Sequence, residues 1–220
     1  MNRHATRRSI IVAGSLYMLA GCTTPVGEHN STASSSPRNS PPHYEQPKLL
    51  NLTDLPAGDY GVWGTLRNRV VYHNSNSRFR MCSTMKFPLV ALVLHLRQRG
   101  KIDLNSMVSW NESDFIGYSP FTSQQADNAA TVSQLCEATA RTSDNTATNS
   151  LLDAVGGLRA LEAFVGSLGD KASRFDRRET EMNIQKGELD TTTAEAFGRL
   201  ALAIPDGLRE NDRRTFFGSS

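Results

Sequence analysis

Ser83, Thr84, Met85 and Lys86 form a Ser-x-x-Lys tetrad that opens an apolar run from Phe87 to Leu96. A serine hydroxyl is a poor nucleophile until a base removes its proton. Residues three apart on a helix share one face, so a helix starting here sets the Lys86 amine beside the Ser83 oxygen. The helix N-terminus and an apolar surround both disfavour the charged ammonium. A neutral amine next to a hydroxyl is a serine-activating pair. Among Lys48, Lys86, Lys101, Lys171 and Lys186, only Lys86 has a serine three places upstream. By itself the tetrad is also what an ordinary serine N-cap would give.

Two further groups could do chemistry. Ser143-Asp144-Asn145 lies at a helix junction, where capping residues are expected in any case. Its functional reading is a hydroxyl that relays a proton to a leaving nitrogen, with an amide that binds a substrate carbonyl. Glu179 and Asn183 lie in a charged loop from Asp170 to Asp190. A carboxylate with an amide four residues on could hold a water between them as general base and positioner. The plain alternative is a solvated loop.

These groups need elements to position them. Tyr60 to Thr65 and Arg69 to His73 alternate as two short strands, a hairpin pattern. A buried helix is expected from Ser83 to about Arg99, stopped by Gly100. Thr131 caps a helix carrying Val132, Leu135, Cys136 and Thr139. Helices are expected from Asn145 to Val155 and from Leu158 to Leu168, with Gly169 as a stop. Thr191 to Thr193 caps a last helix that Pro205 halts.

The chain has 220 residues, 38% hydrophobic, with a net charge of +2, a globular composition. There is no basic block in the body, so nucleic-acid binding has no support. Residues 1–22 read as a targeting segment. Arg3, His4, Arg7 and Arg8 precede a largely apolar stretch, Ile10 to Ala20, too short to span a bilayer as an ordinary helix. It ends in Leu19-Ala20-Gly21-Cys22, which resembles a bacterial lipobox with Cys22 as the lipidated residue. Thr6 to Ile11 weakly resembles a twin-arginine export signal. Residues 23–47 are polar and Pro-rich and read as a flexible tether. The expectation is an exported protein, either anchored on the outer side of the cytoplasmic membrane or secreted. Cys82 and Cys136 are expected as free thiols, with a bridge between them left open.

Together, the three groups resemble a class A serine β-lactamase in order and spacing. Ser83 and Lys86, within Phe79 to Lys86, match the nucleophile tetrad. Ser143 to Asn145 match the second motif, and Glu179 and Asn183 match the omega-loop pair. Tyr118 resembles the aromatic residue at the site entrance. Arg177 and Asp190 resemble the ion pair closing the omega loop. The resemblance implies an α/β (α+β) transpeptidase-like fold, with helices packed on an antiparallel sheet beside an all-helical subdomain. Residues 48–99 would hold the hairpin and nucleophile helix, 100–190 the helical subdomain with the omega loop, and 191–220 the return to the sheet. It implies catalysis by Ser83, Lys86, Ser143 and Glu179, with substrate held by Asn145, Tyr118 and Asn183. The implied partner is a small β-lactam molecule, acted on by a monomer with no metal or cofactor.

Three departures stand out. Thr180 occupies the place where the family commonly has proline at a bend that often uses a cis peptide. The stretch from Asn183 to Asp190 is shorter than the family's. The third family motif, Lys-Thr-Gly or a close relative, does not occur, since the last lysine is Lys186 and the chain stops at Ser220. The expectation is an incomplete or truncated β-lactamase with an incomplete sheet. One oxyanion donor is then missing, which costs roughly 2.7–4 kcal/mol, and β-lactam hydrolysis is impaired. The alternatives are a penicillin-binding protein that keeps its adduct and an inactive truncated lipoprotein. A Ser-His-Asp hydrolase finds no Gly-x-Ser-x-Gly here.

Overall fold

A computed structural model describes residues 10–15, 48–49, 59–66 and 69–217. Cys22 and the 23–47 tether lie outside these residues. Within the leading segment, Ile10–Ser15 form strand β1, and Lys48–Leu49 form β2. The expected hairpin is present as β3 (Tyr60–Leu66) and β4 (Arg69–His73), with Trp63 opposite Tyr72 and Thr65 opposite Val70. β1 runs parallel to β3 and β2 parallel to β4, giving the order β1-β3-β4-β2. The central pair is therefore antiparallel, as expected, while the edges make the sheet mixed. A tight turn can join only antiparallel strands, and the edge strands are reached through much longer connections.

β5 (Arg78–Arg80) leads into a 3-10 turn, Cys82–Met85, and then into α1 (Lys86–Gln98). Ser83 thus sits one turn ahead of the α-helix rather than inside it. Every residue from Leu89 to Leu94 is buried, so α1 has no solvent face along this stretch. Each of its leucines and valines contributes about 1.5–3 kcal/mol on burial. Gly100 at φ +66 ends the helix in the left-handed region that favours glycine.

β6 (Met107–Ser109) pairs antiparallel with β7 (Ala129–Thr131). Thr131 caps α2 (Val132–Glu137) through a reciprocal capping box with Gln134. A π-turn, Ala138–Thr142, separates α2 from α3 (Asn145–Val155), and α4 (Gly157–Ser167) follows. β8 (Thr191–Thr193) pairs with β5, and Thr193 caps α5 (Ala194–Asp206). α6 (Glu210–Phe217) follows, and its Asp212 pairs with Arg97 of α1.

Pro205 does not halt α5, which continues to Asp206. Proline removes only its own N–H, and the Gly207 N–H still reaches the carbonyls of Ala203 and Ile204 at 3.2 and 3.1 Å. Sequence reading also missed β5 to β8 and α6. Three-residue strands show too little alternation to read, and α6 is strongly polar.

α5 packs on the sheet through a close approach. A Cβ at Gly198 would lie 2.3 Å from Cε3 of the buried Trp63 ring. Arg199 lies over the same ring, 5.2 Å from its centroid. Gly198→Ala is expected to destabilise the fold by about 1–3 kcal/mol, because overpacking outweighs the gain in helix propensity. A lowered urea midpoint would show it, and an unchanged one would contradict this packing.

Candidate active site

The 3-10 turn brings Ser83 to the surface while Lys86 points inward and is only 3% exposed. Lys86 Nζ lies 3.3 Å from Ser83 Oγ, 2.9 Å from Ser143 Oγ, 2.8 Å from the Ser143 carbonyl and 2.6 Å from Asn145 Oδ1. It also forms an ion pair with Glu179 Oε1 at 3.1 Å. Five oxygens thus surround one nitrogen. An ammonium has three N–H donors and no acceptor, while a neutral amine has a lone pair for a hydroxyl proton. Burial pushes the Lys86 ammonium below its ordinary value, and Glu179 opposes that push. The nitrogen is therefore placed to exchange protons between Glu179 and the two serines.

Ser143 adopts a left-handed conformation, φ +57, at the end of the π-turn. That turn aims both its hydroxyl and its carbonyl at Lys86. Asp144, fully buried, caps α3 by accepting from the Ala147 N–H at 2.8 Å. Its carboxylate also accepts from the Phe121 and Thr122 N–H groups, both at 2.9 Å, and from the Thr122 hydroxyl. Asn145 donates through Nδ2 to the Gly117 carbonyl at 2.7 Å, which fixes Oδ1 toward Lys86.

Glu179 is 5% exposed. Asn183 Nδ2 donates to its Oε2 at 2.8 Å, and a 3-10 turn, Glu181–Asn183, sets that spacing. The Glu179–Thr180 peptide is cis. Arg177 Nε pairs with the fully buried Asp190 at 2.6 Å and closes the loop. An open cleft of about 290 Å³ has Ser83, Lys86 and Ser143 on its polar side and Phe87, Val90 and Ala140 on its apolar side. Polar groups on one wall and apolar surface on the other suit a small acyl substrate.

Residues 49–216 match the profile of the beta-lactamase enzyme family. The solved structure of an ancestral class A β-lactamase superposes with a TM-score of 0.66 at 38% identity, covering 68% of this chain and 59% of that one. The chain belongs to the class A β-lactamase family. β-Lactamase L2 of Stenotrophomonas maltophilia is 39% identical over 175 residues, covering 75% of this chain and 55% of L2. β-Lactamase FAR-1 of Nocardia farcinica is 34% identical over 216 residues, covering 94% of this chain and 69% of FAR-1. The chain thus spans about half the length of the first of these relatives.

In this β-lactamase chain Ser83, Lys86, Ser143, Asn145, Glu179 and Asn183 come together in one cluster. Tyr118 lies beside it, 68% exposed and at φ +63. Its contact with the cluster is through its carbonyl, which accepts the Asn145 N–H at 3.1 Å. Cys82 and Cys136 are free thiols. Burial raises the Cys82 thiol, so beside Ser83 it stays protonated and does not compete as a nucleophile. Burial pushes Cys136 up to about 12. Among the described residues no cluster of His, Cys, Asp or Glu could hold a metal ion.

Sequence reading missed Asn149. Its Oδ1 accepts the Glu179 N–H at 3.2 Å and its Nδ2 donates to the Glu179 carbonyl at 2.9 Å. The signal was available, since Asn149 lies one turn beyond Asn145 on the same face of α3.

Proposed function

We propose that the whole protein hydrolyses β-lactams through an acyl-enzyme on Ser83. The observation that carries this reading is the Lys86 nitrogen, in contact with both serine hydroxyls and with Glu179. Lys86 takes the Ser83 proton as the oxygen bonds to the lactam carbonyl carbon. The Ser83 N–H offers a donor to the resulting oxyanion. The ring C–N bond then breaks, and the nitrogen takes its proton from the Ser143 hydroxyl, which Lys86 reprotonates. Glu179, oriented by Asn183, takes a proton from a water that attacks the ester carbonyl. The Ser83 C–O bond breaks, and Ser83 recovers its proton through Lys86. Asn145 and Tyr118 flank the bound substrate.

The same proposal places the protein outside the cytoplasm, with Cys22 as a lipid anchor and a monomeric catalytic unit. No described helix is long and apolar enough to cross a membrane. Intact-mass spectra taken during exposure to penicillin test the catalytic reading. An adduct that forms and decays is expected. An adduct that persists would point to a penicillin-binding protein instead, and no adduct at all would refute acylation.

A further inference from the structure

We infer that Arg80 is a positioning residue of this site, holding the loop turn that aims Glu179. The inference rests on the hydrolytic reading above. Arg80 sits on β5, three residues before Ser83, and its backbone is fixed by pairing with Thr191 of β8. Its half-buried guanidinium donates through Nη1 to the Asn183 carbonyl at 2.8 Å. The Asn183 side chain in turn donates to Glu179 Oε2 at 2.8 Å. A continuous path therefore runs from the strand that leads into the nucleophile to the carboxylate that would activate water.

The neighbouring carbonyl, Ile184, is held by Arg177 Nη2 at 2.7 Å, and Arg177 is itself paired with Asp190. Two guanidiniums thus grip two successive carbonyls of one turn. Arg177 belongs to the loop and closes it on itself. Arg80 belongs to the strand and ties the same turn to the floor of the site. Asn149 holds the Glu179 backbone from α3, while Asn183 holds Oε2 of its carboxylate. Loss of Arg80 therefore loosens the carboxylate while its backbone stays held. Among the described residues none of Ser83, Lys86 and Ser143 is hydrogen-bonded to Arg80, and Lys86 is linked to it only through Glu179, so deacylation is slowed much more than acylation.

The test uses the full chain as wild type, Arg80→Ala and Arg80→Lys, with benzylpenicillin as the probe. Intact-mass time courses follow gain and loss of the adduct, and hydrogen exchange follows residues 177–185. Arg80→Ala is expected to gain adduct at close to the wild-type rate and to lose it at least ~10-fold more slowly, since a displacement of about 1 Å can cost 10²-fold. Arg80→Lys should restore part of the loss, and exchange after Asn183 should quicken in Arg80→Ala. Unchanged decay or unchanged exchange would overturn the inference. Equal slowing of gain and loss with a lowered unfolding midpoint would do the same, because it marks general destabilisation. Should the wild type gain no adduct, the hydrolytic reading fails, and the exchange measurement alone decides whether Arg80 holds the turn.

Discussion

Replacing Lys86 with alanine is expected to slow acylation of Ser83 by roughly 10²–10⁴-fold, the usual span for a positioned general base. The size follows from how much converges on one nitrogen. Ser83 Oγ, Ser143 Oγ, Asn145 Oδ1 and Glu179 Oε1 all lie within 3.3 Å of it. Without it Ser83 loses its proton acceptor and Ser143 its proton supply. The variant also leaves Glu179 buried without its cation. Breaking a buried pair by removing one partner costs about 3–5 kcal/mol. Denaturant unfolding should therefore fall alongside stopped-flow acylation. Acylation within threefold of wild type would remove Lys86 from the role of base.

Asp144→Ala is expected to destabilise the fold by about 4 kcal/mol, comparable with the loss of Lys86. The carboxylate is fully buried and serves Ala147, Phe121 and Thr122 at once. Its loss removes a helix cap, worth about 1 kcal/mol, and strands two backbone donors of the segment that follows Tyr118. Hydrogen bonds to a charged acceptor contribute about 1.5–3 kcal/mol each, and they are not additive. A domain of this size should lose about 10 °C in Tm by circular dichroism. A loss below about 2 °C would show that Asp144 is not the link between the Tyr118 segment and α3. Asp144→Asn keeps one acceptor and should cost less.

Most of the site was legible because its chemistry is written in short, local spacings. Ser83 to Lys86 is one helical turn, and Glu179 to Asn183 is one turn of a loop. Arg177 and Asp190, far apart in sequence, were legible only through the family resemblance. The hairpin and the helices were legible because their apolar periods are long enough to count. What escaped reading was set by tertiary pairing. β5 and β8 exist because each completes the other, and neither three-residue stretch shows a period alone. Arg80 drew no reading, because its partner, the Asn183 carbonyl, is brought to it only when the loop folds. The sheet edges are another case, since the apolar pattern read Ile10–Ser15 as part of a targeting segment, whereas it pairs with β3.

Peptide mapping of the Glu179→Gln variant after benzylpenicillin treatment bears most directly on the central claim. This variant keeps the Ser83–Lys86 pair and removes the carboxylate proposed to activate water. It should accumulate one penicilloyl group, mass-localised to Ser83, that outlives the wild-type adduct at least ~100-fold. No adduct, or an adduct on any other side chain, would contradict the account.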